Sequence, residues 1–158
     1  MALLVMGKSK SASAGCYCPE NVLLKRLLRH LIVERNEVVI VDMEAGIEHL
    51  TRGTSGSVDA FLVVVEPGQR SIQTATTVKN LAAQLGIEKV LVVANKVRND
   101  SDLEFIRERV GDTEIIGALN FDPHIVQADI QGVPPHTVSS AARDLGSQLV
   151  SEIEHRRV

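Results

Sequence analysis

The two cysteines of this chain, Cys16 and Cys18, are its clearest candidates for metal chemistry. They lie two residues apart, in a segment that we predict to be a turn before a helix. A closed zinc-type site needs four ligands, and the 5 histidines are dispersed without metal-ligand spacing. A complete site would therefore require the cysteine pairs of two copies to meet across a two-fold axis. The alternative is two small buried residues in a turn.

Asp42 is the second candidate, because it ends a continuous apolar run over residues 38–43. A carboxylate at the end of a strand can orient a magnesium-bound water. Gly46, in the loop that follows, would let the backbone approach a phosphate. The alternative is that Asp42 only caps the turn through a side-chain hydrogen bond.

Asn95 and Lys96 are the third candidates, because they come directly after the apolar run 89–94. An asparagine amide can donate to and accept from an adenine edge, and a lysine stem can cover a ring. A turn asparagine and a solvated lysine are the alternative. Asp122 and Pro123 lie in a further loop, which the proline makes rigid.

The pattern of elements around these residues predicts the α/β class. Continuous apolar runs at 2–6, 38–43, 60–65, 89–94 and 114–119 suit strands that are covered on both faces. Helical patterns lie between them at 21–34, 71–85, 101–110 and about 137–155, the third opening with Ser101 and Glu104 in capping-box spacing. We therefore predict three layers: a mostly parallel sheet of about five strands with helices on both faces. The polar candidates all follow strands, so they should share the carboxyl edge of the sheet.

Length and composition restrict the classes of function. The 158 residues suffice for a single domain over 1–158, and a net charge of −3 gives no electrostatic reason to expect nucleic acid or an anionic membrane. No apolar run approaches the roughly 20 residues that span a bilayer. We therefore predict a cytoplasmic protein, whose thiols stay reduced.

The chain resembles one protein family in four segments: GCYCPEN at 15–21, DMEAGIEHL at 42–50, VVEPGQRS at 64–71 and NKVR at 95–98. The family is the carbon monoxide dehydrogenase accessory ATPases, the nickel-insertion members of the group that contains the septum-site and arsenite-pump ATPases. The resemblance runs from residue 2 to about residue 151. It implies a P-loop NTPase fold and a dimeric ATPase that helps to load nickel into carbon monoxide dehydrogenase.

The resemblance also implies roles for individual residues. Cys16 and Cys18 would be metal ligands at the dimer interface, binding nickel or zinc. Asp42 would be the switch-type aspartate, with Gly46 in the loop that responds to the γ-phosphate. Adenine contacts would fall on Asn95 and on the loop around Asp122 and Pro123.

The family's Lys-Gly-Gly phosphate loop has no counterpart in these residues. Gly7, Lys8 and Ser9 only look like the end of such a loop, because position 2 is alanine where the motif requires glycine. The chain therefore resembles the C-terminal portion of the family, with a partial P-loop NTPase fold. We expect no ATP hydrolysis by this chain alone, and ATP with magnesium only where another chain supplies the loop. We also expect the strand at 38–43 to pair directly with the strand at 60–65, or another chain to fill the gap.

Three functions follow from these observations. In the first, the chain is a truncated relative of the nickel-insertion ATPase that keeps its metal and dimer site, and carbon monoxide dehydrogenase is its expected partner. Alternatively it is a catalytically inactive protein-interaction module. The third alternative is an ATPase half that a separate chain completes.

Overall fold

The computed structural model describes residues 40–42 and 58–156. The chain divides into two compact units, Met1–Val58 and Asp59–Val158, and nearly all of the described residues belong to the second. The single domain over 1–158 stays a prediction. Within the described ranges no helix is both long enough and apolar enough to cross a membrane.

Strands and helices alternate through the second unit. In chain order they are β1 (Ala60–Val65), α1 (Gln69–Gln84), β2 (Lys89–Val97), α2 (Asp100–Val110), β3 (Glu114–Asn120), α3 (Pro123–Gln131), α4 (Pro135–Val138) and α5 (Ser140–His155). The three strands form a parallel sheet in the order β1-β2-β3. The class predicted from the sequence, α/β with a parallel sheet, is confirmed.

Each face of the sheet carries its own hydrophobic core. On one face Val65 and Val92 pack with Ile106 of α2, and α1 adds Ile72 and Ala75. On the other face α5 covers a second cluster, in which Leu145 and Leu149 pack against Leu91, Val93 and Ile116. Helices therefore lie on both faces of the sheet, which explains why the central strand β2 reads as a continuous apolar run. In β1, by contrast, Leu62 and Val64 are 42% and 57% exposed.

Helix α5 is attached to β3 along its whole length. Near its middle the Gln148 Nε2 donates to the Ile116 carbonyl at 3.0 Å. Beyond its end, the two terminal nitrogens of Arg156 donate to the carboxylate of Glu114, the first residue of β3, at 2.6 and 2.7 Å. The Arg156 hydrogen bonds hold the pKa of Glu114 below its usual range.

The described residues contain three of the five predicted strands, and two of the three extend further than predicted. The strand at 60–65 has the predicted bounds, whereas β2 continues past residue 94 to Val97 and β3 past residue 119 to Asn120. The predicted strand at 2–6 and helix at 21–34 lie outside the described residues. The strand at 38–43 is wrong over residues 40–42, which have no regular secondary structure and leave Ile40 75% exposed. Its remainder lies outside the described residues, and so does its predicted pairing with β1.

The predicted helices need three corrections. The capping box of Ser101 and Glu104 is wrong, because the N-cap of α2 is Asn99, whose side chain accepts from the Asp102 N–H. The last helix is not continuous: the chain is extended at Ser139, which separates α4 from α5. The sequence analysis also missed α3, although Asp122 before Pro123 is an N-cap followed by a proline at the first helical position, and Gly132 ends the helix.

Candidate functional site at the carboxyl edge of the sheet

Three polar clusters meet at the carboxyl edge of the parallel sheet, as the sequence predicts. Glu66 follows β1, Asn95 and Lys96 lie near the end of β2, and Asp122 follows β3. A hydrogen bond joins the ends of β2 and β3, since the Phe121 N–H donates to the Val97 carbonyl at 2.8 Å. Ligands of open α/β sheets bind at this edge.

Asn95 and Lys96 occupy a bulge within β2, whereas the sequence predicted that they follow the end of the strand. Ala94 pairs with Ala118 and Val97 pairs with Asn120, so two residues of β2 lie opposite one residue of β3. A bulge bends the strand and re-aims the side chains of the extra residue and its neighbour. Asn95 is half-buried there, and Lys96 is exposed.

Lys96 has a backbone conformation that lysine rarely adopts. Its φ is 55°, and it has the only positive φ of a non-glycine residue in the described part of the chain. A left-handed conformation costs an L-residue roughly 1–2 kcal/mol. Such conformations concentrate at binding and catalytic sites, where the surrounding structure holds them.

Glu66 is the partner of Lys96 at this edge. The Lys96 Nζ lies 2.7 Å from the Glu66 Oε1, and both side chains are about half exposed, at 54% and 48%. An exposed ion pair contributes at most about 1 kcal/mol, which is no more than the cost of the left-handed backbone of Lys96. Glu66 itself is held by its turn, where its N–H donates to the Ser71 Oγ at 2.9 Å and its carbonyl accepts from Gly68. The sequence places Glu66 at this edge, as an acid directly after an apolar strand, but its ion pair with Lys96 was not predicted.

Asp122 lies at the predicted edge, but its carboxylate is used as a helix cap. Its Oδ1 accepts from the His124 N–H at 2.9 Å and lies 2.9 Å from the His124 Nδ1. Hydrogen bonds from the Ser139 hydroxyl and then from His124 hold the pKa of Asp122 below its usual range. Ser139 is 3% exposed. Pro123 is the first residue of α3, so Asp122 and Pro123 start a helix instead of stiffening a loop.

The remaining predicted site residues are only partly described. Asp42 is exposed and lies outside regular secondary structure. Cys16, Cys18 and Gly46 lie outside the described residues. In the part of the chain that the structure describes, no group of three or more histidine, cysteine, aspartate or glutamate side chains could hold a metal ion.

The chain is similar over almost its whole length to curated proteins. It is 42% identical over 154 residues to the carbon monoxide dehydrogenase accessory protein CooC of Rhodospirillum rubrum, a match that covers 98% of this chain and 59% of that protein. This similarity supports a match to the family of this accessory protein. It is also similar to two uncharacterized ATP-binding proteins of Methanocaldococcus jannaschii, at 46% identity over 92% of this chain and 33% over 90%, each match covering 57% of the relative.

The similarity fits the described fold and edge. The chain spans less than three fifths of the length of each of these relatives. No protein-family model matches it. The similarity to the accessory protein agrees with the predicted P-loop NTPase-like fold, and the described region contributes three parallel strands.

Proposed function

We propose that this chain acts in an ATP-dependent accessory factor that assists nickel insertion into carbon monoxide dehydrogenase. The observation that carries the proposal is the 42% identity to CooC over 98% of the chain. The relatives named as ATP-binding proteins support the nucleotide part. The carboxyl edge, with Glu66, Lys96 and Asp122 on three strand ends, gives a nucleotide a place to bind.

The nucleotide part of the proposal assigns a role to each edge residue. Asn95 would contact the adenine edge, because its amide offers one donor group and one acceptor. Lys96 would lie against the ring, and Asp122 with Pro123 would form the adjoining wall at the start of α3. Gly46 would approach the phosphates, and Asp42 would orient the magnesium-bound water.

Nickel is the cargo in this proposal, and Cys16 with Cys18 would bind it. Two cysteines supply half of a four-thiolate site, so a homodimer would complete the site at a two-fold axis. Zinc fits the same four thiolates. The cytoplasm, where thiols stay reduced, is the compartment that this chemistry requires.

ATP hydrolysis requires groups that these 158 residues do not supply. They contain no Lys-Gly-Gly loop, which would cradle the phosphates and neutralise the charge of the transition state. We therefore expect ATP hydrolysis only after a polypeptide with that loop is added. Replacing Asp42 by Asn should then abolish turnover while nucleotide binding persists.

Metal stoichiometry and mass in solution test the metal part directly. The reduced chain is titrated with nickel or zinc beside the variant Cys16→Ser/Cys18→Ser. One metal per two chains, with metal and dimer both lost in the variant, is the expected result. A monomer that binds no metal, with an unchanged variant, would overturn the shared cysteine site.

A protein-interaction module is the second candidate, and exposed apolar side chains favour it. In the segment after β3, five large apolar side chains are each 37–73% exposed. They are Phe121, Val126, Ile130, Val133 and Val138. This candidate gains support if the chain binds carbon monoxide dehydrogenase equally well with and without nucleotide and metal.

A further inference from the structure

The geometry points to Glu66 as a positioning residue, which holds Lys96 so that the stem of Lys96 forms one wall of the base-binding part of the nucleotide site. The inference rests on the proposed nucleotide binding and adds to it the positioning role of Glu66. Three observations carry it: the bulge that places Asn95 and Lys96, the left-handed backbone of Lys96, and its ion pair with Glu66.

The bulge and the backbone conformation act together on Lys96. Two residues of β2 lie opposite one residue of β3, and the second of the two has a φ of 55°. In a regular strand the Lys96 side chain would point away from one face of the sheet, whereas in this arrangement it reaches across to Glu66, the residue that follows β1. The structure thus holds a lysine across the edge where a ligand would bind.

The ion pair determines which part of a nucleotide suits Lys96. The Nζ is 2.7 Å from a Glu66 carboxylate oxygen, so the charge of the lysine already has a partner. A phosphate at this place would meet the negative charge of Glu66 as well as the positive charge of Lys96. The aliphatic stem of Lys96, between its backbone and its Nζ, is uncharged and therefore suits the flat face of a neutral base.

Asn95 indicates which base that is. It is the first residue of the bulge and lies next to Lys96 in the chain. Its side-chain amide carries both a donor and an acceptor, which match the paired donor and acceptor of adenine. We therefore expect adenine to be preferred over guanine, with Asn95 reading its edge and Lys96 covering its face.

The test titrates the whole chain with ATP, adenosine and inorganic tripolyphosphate, in parent and variant proteins. The variants are Glu66→Gln, Lys96→Gly and the double variant, and Lys96→Gly also suits the left-handed backbone without strain. Glu104→Gln is the matched control, because Glu104 forms an exposed ion pair with Arg107 on α2. Thermal unfolding of every variant is measured alongside.

We expect Lys96→Gly to weaken ATP and adenosine binding about tenfold and Glu66→Gln about threefold, with tripolyphosphate unaffected. Glu66→Gln should have no further effect in the Lys96→Gly background, because Glu66 acts through Lys96. A purely structural role of Glu66 would instead lower thermal stability and weaken all three probes.

Three other outcomes separate this inference from the proposed function. ATP binding that Glu66→Gln and Lys96→Gly leave unchanged would overturn the inference alone. A parent chain that binds neither ATP nor adenosine would overturn both. Adenosine binding with the expected variant effects, but no ATP binding, would support the inference and overturn the ATP-dependent function.

Discussion

Arg98 and Asp102 form a bidentate ion pair that connects the end of β2 to the first turn of α2. The Arg98 Nε donates to Asp102 Oδ2 at 2.7 Å and its Nη2 donates to Oδ1 at 2.9 Å. The Arg98 backbone N–H adds a third hydrogen bond to Oδ2, at 3.0 Å. Asp102 is 8% exposed, so these donors replace most of the water that its carboxylate would otherwise bind. This pair fixes the turn that follows Lys96.

The Arg98–Asp102 pair predicts how stability depends on pH. The hydrogen bonds from Arg98 hold the pKa of Asp102 below its ordinary value of 3.8. A depressed pKa in the folded state means that the contribution of the pair is complete above that value and is lost as the pH falls through the folded pKa. Asp102→Asn should therefore lower the urea midpoint at pH 7, and its difference from the parent should shrink below about pH 4.

The control for this prediction is Asp100→Asn, in the same first turn but exposed. It should leave the pH dependence of the urea midpoint close to that of the parent. A constant difference between Asp102→Asn and the parent from pH 7 down to acid would contradict the prediction.

At Gly117 we expect a single added methyl group to destabilise the fold. A Cβ at this position would lie 2.6 Å from Leu145 Cδ1 and 3.3 Å from Leu149 Cδ2. Helix α5 would have to shift or repack its leucines, so we expect Gly117→Ala to lower the free energy of unfolding by about 1–3 kcal/mol. Urea denaturation measures the change.

Gly146 offers the matched control within α5. A Cβ there meets nothing within 4 Å, so Gly146→Ala should stabilise the chain by about 0.5–1 kcal/mol through helix propensity. Equal effects of the two substitutions would mean that α5 does not pack on β3 as closely as described.

Ser139 predicts a coupled effect on α5 and on Asp122. Its Oγ accepts from the Ala142 N–H at 3.3 Å, and its hydroxyl is the largest cause of the depressed pKa of Asp122. Ser139→Ala should remove the cap at a cost of about 1 kcal/mol. The pKa of Asp122 should rise toward its ordinary value of 3.8, which carboxyl NMR titration measures.

Ser140→Ala is the control, because Ser140 is exposed and lies one residue after the cap. It should change neither the free energy of unfolding nor the Asp122 titration. An unchanged Asp122 pKa in Ser139→Ala would show that the hydroxyl does not stabilise that carboxylate.

The sequence predicted the strands of the described region well, because continuous apolar runs are typical of strands in parallel sheets. It could not predict the bulge at Asn95 and Lys96, since a bulge depends on how β2 pairs with β3, which is distant in the chain. The edge residues were therefore located correctly, but after the strand rather than within it. The ion pair of Glu66 with Lys96 was missed for the same reason, because only the sheet order makes β1 and β2 neighbours.

The helices show a different limit. Asp122 and Pro123 are a local start signal for α3, which could have been recognised without the structure. The break at Ser139 is not visible in the same way, because the buried Ser139 hydroxyl acts on Asp122, 17 positions earlier, whose pKa it holds low. A long-range partner outweighs the local helical pattern there.

The attachment of α5 to β3 at both ends makes the two elements a single mechanical unit. The 16-residue helix α5 and the 7-residue strand β3 have nearly equal lengths, about 24 and 23 Å. At the start of the helix the Ser139 hydroxyl lowers the pKa of Asp122, which lies beyond the strand, and Arg156 ties the helix end to Glu114 at the beginning of the strand. The amides of both elements should therefore exchange with deuterium in one cooperative opening. A displacement at the Asp122 end would then be carried along the rod to the opposite edge of the sheet.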